Sequence, residues 1–122
     1  RLNTQDNIII KLVRVEDIVP IAVKPSIGVH IKELSRDGKG VRQIEFTAAG
    51  DSPAGIEFYS WDFNYDPEKK QFNASVIMDK EGKQTVSRGP GTHHIAVKVV
   101  DNDGLENTEI VKLTVNGIVK RE

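Results

Sequence analysis

The sequence predicts an all-β chain folded as an antiparallel β-sandwich of about seven to nine strands. Three observations predict it. The run Gly91-Thr92-His93-His94-Ile95-Ala96-Val97-Lys98-Val99-Val100-Asp101-Asn102-Asp103-Gly104 opens on a turn glycine, alternates with period two, and closes on turn residues. Alternating apolar segments recur about every ten residues, separated by Gly, Pro, Asp and Asn. No segment carries the apolar spacing of an amphipathic helix.

The elements follow in order. Residues 7–15 hold Ile8, Ile9, Ile10, Leu12, Val13 and Val15, a β-branched run that reads as a strand. Residues 18–23 resume as an extended piece, at an edge or in a connector because Pro20 lacks an amide donor. Pro25-Ser26 marks the boundary between an N-terminal extended segment, residues 1–24, and a main domain, residues 25–117. Ile27, Val29 and Ile31 alternate with polar or small neighbours, and Asp37-Gly38 supplies a hairpin turn. Ile44, Phe46 and Ala48 share the inner face of the next strand, and residues 49–55 read as a loop. Residues 56–65 hold most of the aromatics, with Tyr59, Trp61, Phe63 and Tyr65 on one parity and Phe58 on the other. Residues 72–78 and 84–87 flank Lys80-Glu81-Gly82-Lys83 and predict a hairpin. The run from Gly91 follows, then residues 109–116 with Val111, Leu113 and Val115 inward. Residues 118–122 are expected to be a C-terminal tail. Neither an internal repeat nor a low-complexity tract is expected.

The totals bound the function. The chain has 122 residues, no cysteine and a formal net charge of -1. One domain of this length buries enough surface to fold without staples. No disulfide or thiolate metal site is possible without cysteine, and the near-neutral charge gives no direct nucleic-acid signal. No apolar run approaches the roughly 20 residues of a membrane-spanning helix, and no signal-peptide pattern is present. The chain starts at Arg1 rather than Met, so it is expected to be a piece of a larger protein.

Two segments together resemble the polycystic kidney disease (PKD) domain, an immunoglobulin-like sandwich. Tyr59-Ser60-Trp61-Asp62-Phe63 is similar to its Trp-Asp-Phe core strand. Gly91, Ile95, Val97, Val99, Asp101 and Gly104 match its later strand and turn at the family's spacing, and residues 46–52 resemble the strand and loop before the Trp strand. His93 stands where the family has Tyr, and Asn64-Tyr65-Asp66 replaces its Gly-Asp-Gly. The resemblance implies a non-catalytic spacer or interaction module beside other domains, on cell surfaces or outside cells, although a cytoplasmic setting stays open.

The expected core is Trp61, Phe63, His93, Ile95, Val97, Val99, Val111, Leu113 and Val115. Trp61, Tyr59 and Tyr65 also invite a sugar-stacking reading, but parity with Phe63 sends the indole inward. Phe58 and Tyr65 remain as the binding candidates. His93 and His94 point to opposite faces of a strand and cannot chelate one ion, so His93 is expected to be a hydrogen-bonded core histidine. Asp101, Asn102 and Asp103 cluster oxygen ligands for calcium, with Asp51, Asp62 and Asp66 as residues that approach in space; Asp-Asn-Asp-Gly is also ordinary turn chemistry, with Asp101 capping its own loop. No other cofactor is expected. Asn73-Ala74-Ser75 fits the glycosylation sequon inside an expected strand. Nothing points to catalysis: there is no cysteine nucleophile, no metal-ligand spacing and no Gly-rich loop opening a helix. Three roles are compatible: an interaction or spacer module, whose partners are other domains of its parent or another protein; a carbohydrate-binding module; and an accessory domain of an intracellular enzyme, for example a nucleic-acid-modifying one.

Overall fold

The computed structural model describes residues 23–36 and 38–122. The expected strand over residues 7–15, the extended piece up to residue 22, and Asp37 of the first turn lie outside the described residues. Among the described residues eight strands follow one another: β1 (Ser26–Arg36), β2 (Arg42–Asp51), β3 (Ile56–Asp62), β4 (Val76–Asp79), β5 (Lys83–Arg88), β6 (Gly91–Asp101), β7 (Glu106–Asn116) and β8 (Ile118–Arg121). They form a three-stranded sheet in the order β1-β2-β5 and a five-stranded sheet in the order β4-β3-β6-β7-β8, all antiparallel. The described residues are therefore all-β, as the alternation predicts.

Period-two alternation sends one side of each sheet inward. From the smaller sheet come Val29, Ile44, Phe46 and Ala48; from the larger come Tyr59, Trp61, Phe63, Ile95, Val97, Val99, Val111, Leu113 and Val115. The indole of Trp61 is fully buried. It stacks on Phe63 at 5.7 Å and meets Phe46 of the opposite sheet edge-on at 6.1 Å, so one side chain joins the two sheets. Aromatic pairs of this kind add about 0.5–1.5 kcal/mol beyond the area they bury. Glycine is required where the sheets come closest. A Cβ on Gly50 would lie 2.8 Å from Val99 Cγ2, and the Gly50 amide donates to the Tyr59 hydroxyl at 2.9 Å.

Several expectations are corrected. Residues 80–83 do not close a hairpin. β4 pairs with β3 and β5 pairs with β2, so the turn steps from one sheet to the other. The turn is tied to both layers: the Gly82 carbonyl accepts the Ala48 amide at 2.7 Å, and Gly82, at φ 76°, packs against the Tyr59 ring. Residues 72–75 precede β4 as irregular chain, because Asp62 and Trp61 of β3 hold the amides of Asn73 and Ser75. The sequon therefore falls in an exposed loop. Conversely, β2 runs on to Asp51, into the expected loop.

Residues 118–122 are not a free tail. Ile118–Arg121 pairs with β7 as β8. Arg42, buried at the end of β2, donates to the Gly117 carbonyl at 2.7 Å. Arg121 donates to the Val29 carbonyl of β1 and pairs with Glu109 at 3.2 Å. Glu122 returns its amide to the Lys112 carbonyl at 2.8 Å. His93 is half-buried rather than a core residue. It sits near the start of β6, where the inner face runs out, and its Nε2 lies 2.8 Å from the Gly89 carbonyl, so the expected hydrogen bond is present.

Candidate functional site

Of the binding candidates, Phe58 lies on the outer face of the larger sheet and Tyr65 in the chain that follows β3. Phe58 of β3 sits opposite Val100 of β6, half-buried. Tyr65 lies beyond the other end of β3, its amide donating to the His94 carbonyl at 3.1 Å. The two rings are thus held at opposite ends of β3 and do not form one platform. Ser60, Asp62 and Ala96 occupy outward positions yet are buried, because the chain after β3 folds back over them. Asp62 drives this. Its carboxylate accepts the amides of Asn64 at 3.0 Å and Asn73 at 2.8 Å. The same fold-back sets the Phe72 ring under Lys98, whose Nζ stands 4.7 Å from the ring centroid. Sequence reasoning misses Phe72, since it places the residue in a strand and no local pattern links it to Lys98.

Beside this face runs the edge strand β4, with Ile77 and Met78 exposed. The Ser60 hydroxyl donates to the Ile77 carbonyl, and the β3–β4 register shifts between Tyr59 and Trp61. On the smaller sheet, a shallow groove of about 280 Å³ is lined by Ser35, Arg36, Val41, Gln43 and Ser87. Its polar groups serve one another in part, as Ser35 donates to Gln43 Oε1 at 3.0 Å.

The calcium candidates resolve into a turn. Asp101 is 1% exposed. Its Oδ1 accepts the amides of Asp103 at 3.0 Å and Leu105 at 2.9 Å, and its Oδ2 accepts the Ser52 hydroxyl at 2.9 Å. Asn102 donates to the Ala54 carbonyl at 2.8 Å, so the β6–β7 turn is laced to the β2–β3 loop. Asp103 is exposed. Asp62 and Asp66 do not approach this turn: Asp101 pairs with Ile56 and Asp62 pairs with Ala96, at opposite ends of the β3–β6 ladder. Among the described residues no group of three or more His, Cys, Asp or Glu is placed to hold a metal ion.

One polar centre escapes sequence reasoning. Asp79, at the end of β4, is buried and accepts the Trp61 Nε1–H at 3.0 Å. It also accepts Gln84 Nε2 of β5 at 3.1 Å and the Glu81 amide at 3.0 Å. Burial works to raise its pKa, but the donors from Gln84, Glu81, Trp61 and Gly82 outweigh it and hold the carboxyl below its ordinary value. Its geometry is that of a structural anchor joining indole, crossover turn and second sheet. No family model, curated protein or solved structure matches the chain.

Proposed function

We propose that this chain is a non-catalytic spacer or interaction module with an immunoglobulin-like, PKD-like fold. The strand order β1-β2-β5 against β4-β3-β6-β7, with a buried Trp on β3, supports the fold reading. The observation that carries the functional reading is how both ends of the described chain are fastened. At the start, the Pro25 side chain is buried and its carbonyl accepts Asn107 Nδ2 at 3.0 Å. At the end, Arg42, Arg121 and the returning Glu122 amide fix β8 to the body. A module whose entry and exit are hydrogen-bonded to its own core passes orientation, and not just length, to what is attached at either end. Three buried carboxylates serve this framework: Asp62, Asp79 and Asp101 each cap a turn.

The wide separation of Phe58 from Tyr65 favours this reading over a carbohydrate platform, which needs rings side by side. Spin labels at Val23→Cys and Glu122→Cys test the claim, with a single narrow distance distribution as the expected result. Retardation of the chain by a polysaccharide gel, abolished by Phe72→Ala, would overturn it in favour of carbohydrate binding.

A further inference from the structure

The turn between β7 and β8 leaves a reactive pair of groups unengaged. Of the asparagines in the chain, only Asn116 is followed by glycine. Gly117 stands alone between the paired residues Asn116 and Ile118, at φ 75°. Asn116 and Gly117 are both exposed, and a Cβ built on Gly117 would meet nothing within 4 Å. Among the described residues, neither the Asn116 carboxamide nor the Gly117 amide has a hydrogen-bond partner. The other described asparagines differ. Asn102 and Asn107 donate through Nδ2 to the Ala54 and Pro25 carbonyls at 2.8 Å and 3.0 Å. The amide after Asn64 donates to the His94 carbonyl at 3.1 Å, and Asn73 is followed by Ala74, whose Cβ shields the next nitrogen. We propose that Asn116 is a self-modification site, where the chain converts its own asparagine to isoaspartate and so releases β8. The inference goes beyond the spacer reading and holds independently of it.

The chemistry needs only water and hydroxide. The Gly117 nitrogen gives its proton to hydroxide and attacks Asn116 Cγ. The new N–C bond closes a succinimide ring. The Cγ–Nδ2 bond breaks, and the leaving nitrogen takes a proton from water to depart as ammonia, which regenerates the hydroxide. Water then opens the ring. Attack at the former side-chain carbonyl gives aspartate; attack at the main-chain carbonyl gives isoaspartate, in which the backbone runs through Cβ and Cγ. Glycine suits the first step because no Cβ shields its nitrogen. Ring closure also requires the Asn116 backbone to leave its extended conformation. β8 is a four-residue strand paired on one side to β7, so the turn opens locally while the β6–β7 ladder stays closed. Isoaspartate lengthens the main chain between Val115 and Gly117, and the pairs Val115–Val119 and Asn116–Ile118 lose register. The Gly117 carbonyl, held by Arg42 Nη2 at 2.7 Å, moves off its donor. Arg121 leaves with β8 and gives up the Val29 carbonyl. The exit strand thus carries a slow chemical clock for its own detachment.

Incubation of the full chain at physiological temperature and mildly alkaline pH tests this, with the free peptide of residues 114–119 as reference. Peptide mapping is expected to show acid in place of amide at Asn116, with isoaspartate identified by methyl transfer from an isoaspartyl methyltransferase. Gly117→Ala is expected to slow the conversion by about an order of magnitude, since its Cβ shields the attacking nitrogen. Asn116→Gln is expected to abolish it. The isoaspartate form, separated by its added negative charge, is expected to exchange its β8 amides at least about tenfold faster than the native chain, with β6 and β7 still protected. Asn116→Asp carries the same charge on an unaltered backbone and is expected to keep native protection of β8. An Asn116 still intact when the free peptide has fully converted, or a rate unchanged by Gly117→Ala, overturns the self-modification. Native protection of β8 in the isoaspartate form, or an equal loss of protection in Asn116→Asp, overturns the release of β8.

Discussion

Replacing Asp79 with Ala is the sharpest single test of how this sandwich is held. The substitution leaves the indole in place and removes the acceptor of its N–H. Trp61 is fully buried, so water cannot take over, and an orphaned buried donor costs about 1–3 kcal/mol. The bonds to Gln84 and to the exposed Glu81 add less, since those groups regain solvent, together about 0.5–1 kcal/mol. The expected loss is about 1.5–4 kcal/mol, read by urea denaturation as a midpoint lower by roughly 1–2 M at a typical slope for this size. A double-mutant cycle isolates the central bond: in a Trp61→Phe background, followed by far-ultraviolet dichroism, Asp79→Ala should cost about 1–2 kcal/mol less than in the native chain. A single-mutant loss below about 0.5 kcal/mol, or no coupling, refutes the claim that Asp79 anchors the core through the indole.

Four further outcomes are expected. Trp61→Ala should cost about 3–5 kcal/mol, since it empties the contact between the sheets; an unchanged denaturation midpoint would contradict its burial. Gly82→Ala should cost about 1–3 kcal/mol, because its Cβ would lie 2.9 Å from the Tyr59 ring at a positive φ; thermal unfolding measures it. Arg42→Met should cost about 1–2 kcal/mol by stranding the Gly117 carbonyl, and hydrogen exchange should show β8 opening before β7. The pH dependence has a definite sign. Because the folded chain lowers the Asp79 pKa, its stabilisation is complete above the unfolded value of about 4 and drains away as pH falls through the folded value. Asp79→Asn should flatten that acid limb; an acid limb identical to the native one would show that another carboxyl controls it.

The outer face of the larger sheet shows how local rules and long-range bonds divide the work. Parity places Asp62 and Ser60 toward water, and local pattern alone leaves them there. They are buried because the Asp62 carboxylate recovers two amides from the returning chain, which offsets the cost of taking a charge out of solvent. The same returning chain brings Phe72 to Lys98. Neither residue is marked in the sequence, since a cation–π contact across 26 positions leaves no periodic trace.

Alternation of apolar and polar side chains is a local property, set by the strand's own geometry. It is enough to declare an all-β chain, the inner faces of β2, β3, β6 and β7, and the turn formed by Asp101. What lies beyond it is decided by partners distant along the chain. A Gly-containing turn joins two strands whether or not they pair, so only the β3–β4 and β2–β5 ladders reveal that residues 80–83 cross between sheets. Likewise Arg42 and Arg121 convert a plain basic ending into β8, and the indole selects Asp79 from among many carboxylates. Pairing and buried hydrogen bonds depend on three-dimensional proximity, which side-chain order along one strand does not encode.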